Sequence, residues 1–399
     1  MDRRIYLDHA ATTPLDPRVL EAMLPCLRDV FGNPSSIYYE AREARNCLDT
    51  ARRTVAELLG AKPNEVIFTS GGTESDNSAL RGVAFANRRR GNHIITSAIE
   101  HHAVLHAVRE LERQGFRATY LPVDRSGFVD LDALASALDD ETVLVSVMYA
   151  NNEVGTVQPV GEIARLVKER CPQAVIHTDA VQAVGALDIN IDRLGVDMLS
   201  IGAHKLYGPK AVGALYVRSR TPWRPQQVGG GQEKNRRAGT ESVALAVGLA
   251  TAMRLACEEL EARNAHNRGL RDRLRQELPA RVPGTHVTGP PDPDRRLPNN
   301  FSCCFERVEG EAVILQLDLA GVAASSGSAC TSGSLEPSHV LTALGIPADL
   351  ARGSLRLTVG QGNTVDDVEH VLDVLPAIVD RLRRLSPLFE AEPTTAVGS

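Results

Sequence analysis

The sequence predicts an α/β protein: a large domain with a mostly parallel, helix-covered sheet, then a smaller α+β domain. Three observations carry this. Between residues 65 and 218, apolar runs of five to nine residues alternate with helical patterns, the rhythm of strand–helix–strand units. After Val243 the rhythm breaks into a long amphipathic run and then short mixed elements. At 399 residues the chain also exceeds one ordinary domain. The expected division is 16–257 for the large domain, with 1–15 and 258–399 forming the small one.

In order, MDRRIYLDHAATTPL (1–15) holds a short apolar run and then a turn-rich DHAATTP. Residues 16–60 read as helical, interrupted by an ordered loop, Phe31–Ser36, of small residues and a proline. EVIFTS (65–70) reads as a strand and TESDNSALRGVAFAN (73–87) as a helix capped by Thr73. HIITS (93–97) is a strand, His102–Gln114 a helix and ATYLPV (118–123) a strand. LDALASAL (131–138), TVLVSVMYA (142–150), GEIARLVKERC (161–171) and AVIHTDA (174–180) continue the alternation, which MLSIGA (198–203) and ALYVR (214–218) close. The amphipathic run from Val243 to Leu278 bridges into the second domain. Pro279–Pro298 reads as loop; EAVILQLDL and SLRLTVG read as short strands before a terminal helix, Val365–Leu385. The tail EAEPTTAVGS has a disordered composition, and no internal repeat is present.

Composition narrows the function. A net charge of −6, with no basic run beyond Arg88-Arg89-Arg90, argues against nucleic-acid binding. Seven cysteines, odd in number and without framework spacing, predict free thiols in a reducing, cytoplasmic setting. No signal peptide or membrane span is expected; the most apolar helical stretch, Ala244–Met253, is too short for a bilayer.

The chemistry gathers at strand ends, where α/β sheets bind ligands. HTDAVQAVG (177–185) delivers Asp179, and VDMLSIGAHKLYGPKAVG (196–213) delivers Lys205. Such an acid and amine suit pyridoxal phosphate, the amine as a Schiff base and the acid on the pyridine nitrogen; taken alone, the pair fits a surface salt bridge equally well. SGGTESDN (70–77), a glycine turn opening a helix, suits a phosphate, although a plain capping box of Thr73 with Asp76 explains it as well. EHHAVL (100–105) places His101 past a strand end, where it could cover a flat ring and shuttle protons. NNEVG (151–155) offers two amides for a carboxylate, or simply an Asn-rich turn. Gly229–Gly231 followed by RRAGT (236–240) suits a phosphate or a subunit contact. In SSGSACTSGSLEPSHVL (325–341) one cysteine stands among small residues, a setting for a mobile nucleophilic thiol and not for a core cysteine. Arg356 in SLRLTVG could clamp a substrate carboxylate. Adjacent Cys303-Cys304 or His101-His102 lack metal-ligand spacing.

Together with YLDHAATTP (6–14) and GNPSS (32–36), these motifs resemble the cysteine desulfurases, the NifS/IscS-like branch of the fold-type I pyridoxal-phosphate enzymes (class V aminotransferases), over nearly the whole chain. The long serine-rich cysteine loop resembles the first group of that family. The resemblance implies that Lys205 carries the cofactor, Asp179 pairs its ring nitrogen, Gln182 meets its hydroxyl, and His101 stacks on the ring and moves protons. Gly72, Thr73 and His204 would hold the phosphate, with Thr240 arriving from the other subunit of a homodimer. Asn152 and Arg356 would hold the carboxylate of L-cysteine, and Cys330 would take its sulfur as a persulfide for an acceptor protein, such as an iron–sulfur scaffold or a tRNA thiolase. A selenocysteine lyase, an aminotransferase or a non-catalytic scaffold paralogue are the alternatives.

Three departures from the family pattern stand out. Gly202 occupies a position that is commonly a phosphate-binding serine, which removes one expected hydrogen bond unless Ser200 or a water compensates. Tyr38, Tyr39 and Glu40 follow GNPSS where a His and a Gly are common, and Ala211 replaces a glycine in GPKG.

Overall fold

A computed structural model describes residues 4–326 and 337–385. Its strands are β1 (Ile5–Tyr6), β2 (Val66–Thr69), β3 (His93–Ser97), β4 (Arg117–Leu121), β5 (Thr142–Ser146), β6 (Val175–Asp179), β7 (Met198–Gly202), β8 (Gly213–Val217), β9 (Thr285–Val287), β10 (Asn300–Phe305), β11 (Val322–Ala323) and β12 (Ser354–Thr358).

Seven of them form a central sheet in the order β2-β8-β7-β6-β5-β3-β4, in which β8 alone runs antiparallel to its neighbours. The strands read as unbroken apolar runs because both faces are covered. Along β2, Val66 and Phe68 pack on one face and Ile67 on the other; along β8, Ala214 and Tyr216 oppose Leu215 and Val217. Helices Pro17–Arg28, Tyr39–Leu59, Val160–Arg170 and Val243–Glu258 cover the first face, while Gly72–Asn87 and His102–Arg113 cover the second. The sheet class inferred from the alternating runs is the one observed.

A second core forms on the antiparallel sheet β12-β10-β9, with Leu270, Leu274 and Leu278 of helix Leu260–Arg281 and Val368, Val371 and Leu375 of helix Val365–Leu385. The chain's first strand joins this part: β1 pairs with β11, and Asp8 bridges to Thr358 of β12.

Five local expectations need correction. EAVILQLDL is helical (Gly310–Leu319): Val313 and Leu317, four residues apart, are buried, whereas Leu315 and Leu319 are 65% and 79% exposed, so the period is that of a helix. The run 243–278 is two helices that break at Glu259. The strand read across 142–150 stops at Ser146, and the segment 279–298 contains β9. Thr73 is not a cap; the helix opens at Gly72 with Gly71 in the cap position at φ 147°, a backbone that only glycine adopts without strain.

Candidate active site

Because β2, β3, β5, β6 and β7 run the same way, their carboxyl ends meet at one sheet edge, and the loops beyond them surround a cavity of ≈ 280 Å³. Gly72 and Thr73 follow β2, His101 follows β3, Asn152 follows β5, Asp179 and Gln182 come from β6, and His204 and Lys205 follow β7; all of them line it. Arg356 reaches it from β12 of the smaller sheet. Thr240 stands exposed on the 229–240 loop and is not among the lining residues. Cys330 lies outside the described residues.

Lys205 is held by the N-terminal segment: its Nζ donates to the carbonyls of Ala10 at 2.6 Å and Ala11 at 2.8 Å. Gln182 donates to the same Ala10 carbonyl at 2.9 Å, and Thr12 Oγ1 meets His204 Nδ1 at 3.2 Å. Asp179 accepts the Val181 N–H at 2.8 Å. Burial raises its pKa to about 6, while the Val181 amide and the Lys205 charge pull the other way. His101 caps its own helix, Nδ1 accepting from Ala103 N at 3.1 Å, so the neutral ring carries its proton on Nε2. Burial, then Lys205 and neighbouring His339 and His106, lower its pKa to about 4. His204 is lowered to about 4 by burial, Lys205 and Lys210.

Arg356 is buried and pre-aimed. One amine donates to the Asn152 carbonyl at 3.0 Å and the other to Asp8 Oδ1 at 2.8 Å, while Nε has no hydrogen-bond partner among the described residues. The two amides of NNEVG therefore divide. Asn152 lines the cavity, whereas Asn151 is buried in the turn, donating to Ile99 O and accepting from Glu153 and Val154 N–H.

Reading the sequence for motifs missed a polar layer beneath the cavity. Asp76, 1% exposed, lines the cavity; its Oδ1 has no hydrogen-bond partner among the described residues but lies 3.7 Å from His177 Nε2, and its pKa is raised by burial and by Asp179. His177 joins Ser146 at 2.9 Å to Ser200 at 2.9 Å beside it. Glu100, raised to about 8 by burial, accepts Ser97 Oγ at 2.5 Å and Met148 N at 2.9 Å. Spacing could have found Asp76, three residues after Thr73 in a helix, but Asp8 and the Ala10–Ala11 carbonyls left no comparable signal.

The residues fit pyridoxal phosphate. A lysine and a buried carboxylate share one pocket, and a Cβ on Gly72 would stand 2.6 Å from Val181, so the helix opening is kept bare. At Gly202 a Cβ would meet only Val181 at 3.4 Å and Gly72 N at 3.5 Å, which is ordinary contact. The missing serine is thus a loss of a hydroxyl, not of space.

Residues 5–371 match the model of the family described as aminotransferase class-V. The chain belongs to that family. Its members use pyridoxal phosphate, and that is the cofactor of this chain. Among curated relatives, cysteine desulfurase IscS of Dictyoglomus turgidum is 52% identical, over 97% of both chains, and that of Methanosarcina thermophila is 51% identical, over 99% of this chain and 96% of its own. Among solved structures, a NifS-like protein superposes with TM-score 0.90 at 39% identity, covering 95% of this chain and 100% of its own. SspA in complex with cysteine gives 0.79 at 37%, covering 89% of this chain and 99% of its own. No helix among the described residues is long and apolar enough to cross a membrane.

Proposed function

We propose that this class-V aminotransferase family member is a cysteine desulfurase: it moves the sulfur of L-cysteine onto Cys330 and releases L-alanine. The observation that carries the reading is the convergence of Lys205, Asp179 and Arg356 in one cavity, supported by relatives of that name at about half identity over nearly the whole chain. In balance, substrate thiol and Cys330 thiol become alanine and a Cys330 persulfide; carbon is reduced as the two sulfurs are oxidised.

The cofactor, when bound, supplies an electron sink for charge developing beside the substrate amine. The chain does the rest. Asp179 would hold a negative charge for the ring nitrogen; burial opposes that charge but strengthens its attraction, while the Val181 amide and Lys205 favour the ionised form. Gly72, Thr73 and His204 hold the phosphate at the opening of a sixteen-residue helix, whose free N–H groups favour an anion. Lys205 Nζ would hold the cofactor and, as a free amine, would take and return the proton at the substrate α-carbon. His101, with Nδ1 occupied by its cap, offers Nε2–H as a hydrogen-bond donor. Arg356 offers Nε and its outer N–H groups to the carboxylate, oriented by Asp8, and Asn152 adds an amide. Cys330 accepts the sulfur and passes it to an acceptor protein, such as an iron–sulfur scaffold or a tRNA-thiolating enzyme.

In this reading residues 16–257 carry the cofactor, 1–15 and 258–399 carry Arg356 and Cys330, and two copies pair so that Thr240 of each completes the other's site. The protein acts in the cytoplasm, in keeping with six free cysteines among the described residues. The test is to add L-cysteine with a thiol reductant and follow alanine and sulfide. Lys205→Ala should lose both colour and turnover, and Cys330→Ser should keep the colour and form no persulfide. A Cys330→Ser protein that desulfurates normally overturns the role of the thiol.

A further inference from the structure

The loop from Gly229 to Thr240 is held in a conformation its residues do not favour. Glu233, Lys234 and Asn235 have φ of 46°, 57° and 64°, three successive left-handed residues with no glycine among them. Such backbone persists only where its surroundings impose it. Here the constraint is a buried ion pair. Glu233, 4% exposed, receives both amines of Arg52 at 2.6 Å each, and its Oε2 also accepts Phe68 N at 3.1 Å. Arg52 donates in turn to Val66 O at 2.9 Å and lies 4.8 Å over the Phe68 ring. Farther along, Arg237 meets Glu74 at 2.9 Å, and Glu74 accepts Ser70 N at 2.7 Å. The first tie runs to helix Tyr39–Leu59 and to β2, the second to the helix that opens at Gly72, while Thr240 stands clear in solvent. A buried pair gains little net stability over apolar residues, so its distinctive effect here is to fix geometry.

We propose that the Arg52–Glu233 pair is a latch that holds this strained loop as an arm presenting Thr240 to the cofactor phosphate in a second copy of this chain. The inference rests on the homodimer reading above and adds two positioning residues that act through Thr240. It predicts a shared fate for the three side chains.

The experiment titrates pyridoxal phosphate into the apo form of the full chain by absorbance, with light scattering to follow the dimer. Thr240→Ala, which removes one hydrogen bond to a charged group, should raise the dissociation constant roughly tenfold or more. Glu233→Gln should do the same while the dimer persists, and the double variant should be no weaker than the worse single one, within about twofold. Arg52→Lys, which keeps the charge but loses the fork, should fall between and carries the test if Glu233→Gln does not fold. Unchanged affinity in both latch variants while Thr240→Ala weakens binding, or losses that add in the double variant, would overturn the latch. No effect of Thr240→Ala would overturn the cross-subunit reading instead.

Discussion

Replacing Gly202 by serine should tighten cofactor binding. Gly202 has φ −129° and ψ 123°, extended backbone that any residue adopts, and its missing Cβ would lie 3.5 Å from Gly72 N at the helix opening and in ordinary contact with Val181. Nothing must move to admit the side chain. A serine hydroxyl there would face the cradle assigned to the phosphate. A hydrogen bond to a charged group contributes about 1.5–3 kcal/mol, and fixing one short, already half-confined side chain costs a few tenths, up to about 1 kcal/mol. The net of about 1–2 kcal/mol corresponds to a dissociation constant roughly 5- to 30-fold lower.

The assay compares wild type, Gly202→Ser and Gly202→Ala by absorbance titration of the apoproteins. The alanine variant carries the same Cβ without the hydroxyl. Both should stabilise the apoprotein slightly, by about 0.4–1 kcal/mol, through loss of unfolded-state freedom. Only serine should tighten binding. If serine and alanine bind the cofactor alike, or serine binds more weakly with its fold intact, the phosphate does not sit at the Gly72 helix opening and the assignment of Thr73 and His204 falls with it.

Glu100, raised to about 8 by burial, keeps its proton in the folded protein where an unfolded glutamate near 4.5 has lost it. Between those values the folded state binds more protons, so this group lowers stability as pH rises, by up to about 1.4 kcal/mol per pH unit. Glu100→Gln should therefore flatten the decline in urea midpoint between pH 6 and 8, and a wild-type slope would refute the assignment. Ala211 sits at φ 63°, where the family's glycine would be unstrained. Ala211→Gly should stabilise the protein by roughly 0.5–1 kcal/mol in denaturant titration, the left-handed penalty exceeding glycine's entropy. Arg356→Lys keeps the charge but loses Nε and the fork; KM for L-cysteine should rise about tenfold or more with kcat less affected, and an unchanged KM would remove Arg356 from substrate binding.

What was legible in the sequence follows from where the information is stored. The sheet could be read because β2, β7 and β8 are apolar on both faces, and the residues of its carboxyl edge because Asp179 ends a strand while Lys205 and His101 stand within a few residues of one. EAVILQLDL misled because its polar interior residues, Gln316 and Asp318, flank the buried Leu317 in an alternation that looks like a strand and concealed a helical period. The contacts of the N-terminal segment escaped for a different reason. Asp8 orients Arg356 from 348 residues away, and Lys205 rests on carbonyls 195 and 194 residues upstream. No local pattern encodes such contacts.

That same fact bears on how the site is assembled. Lys205 and Gln182 from the large sheet both bond Ala10 O, Arg356 from the smaller one bonds Asp8, and Asp8 itself bridges to β12. The turn-rich DHAATTP is therefore a strap: a few N-terminal residues whose backbone carbonyls hold the Lys205 amine on one side and whose single acid holds the Arg356 guanidinium on the other. Any shift of this strap moves both groups together. The position of Lys205, the amine proposed to take the substrate's proton, is thereby coupled to the position of Arg356, the clamp proposed for its carboxylate.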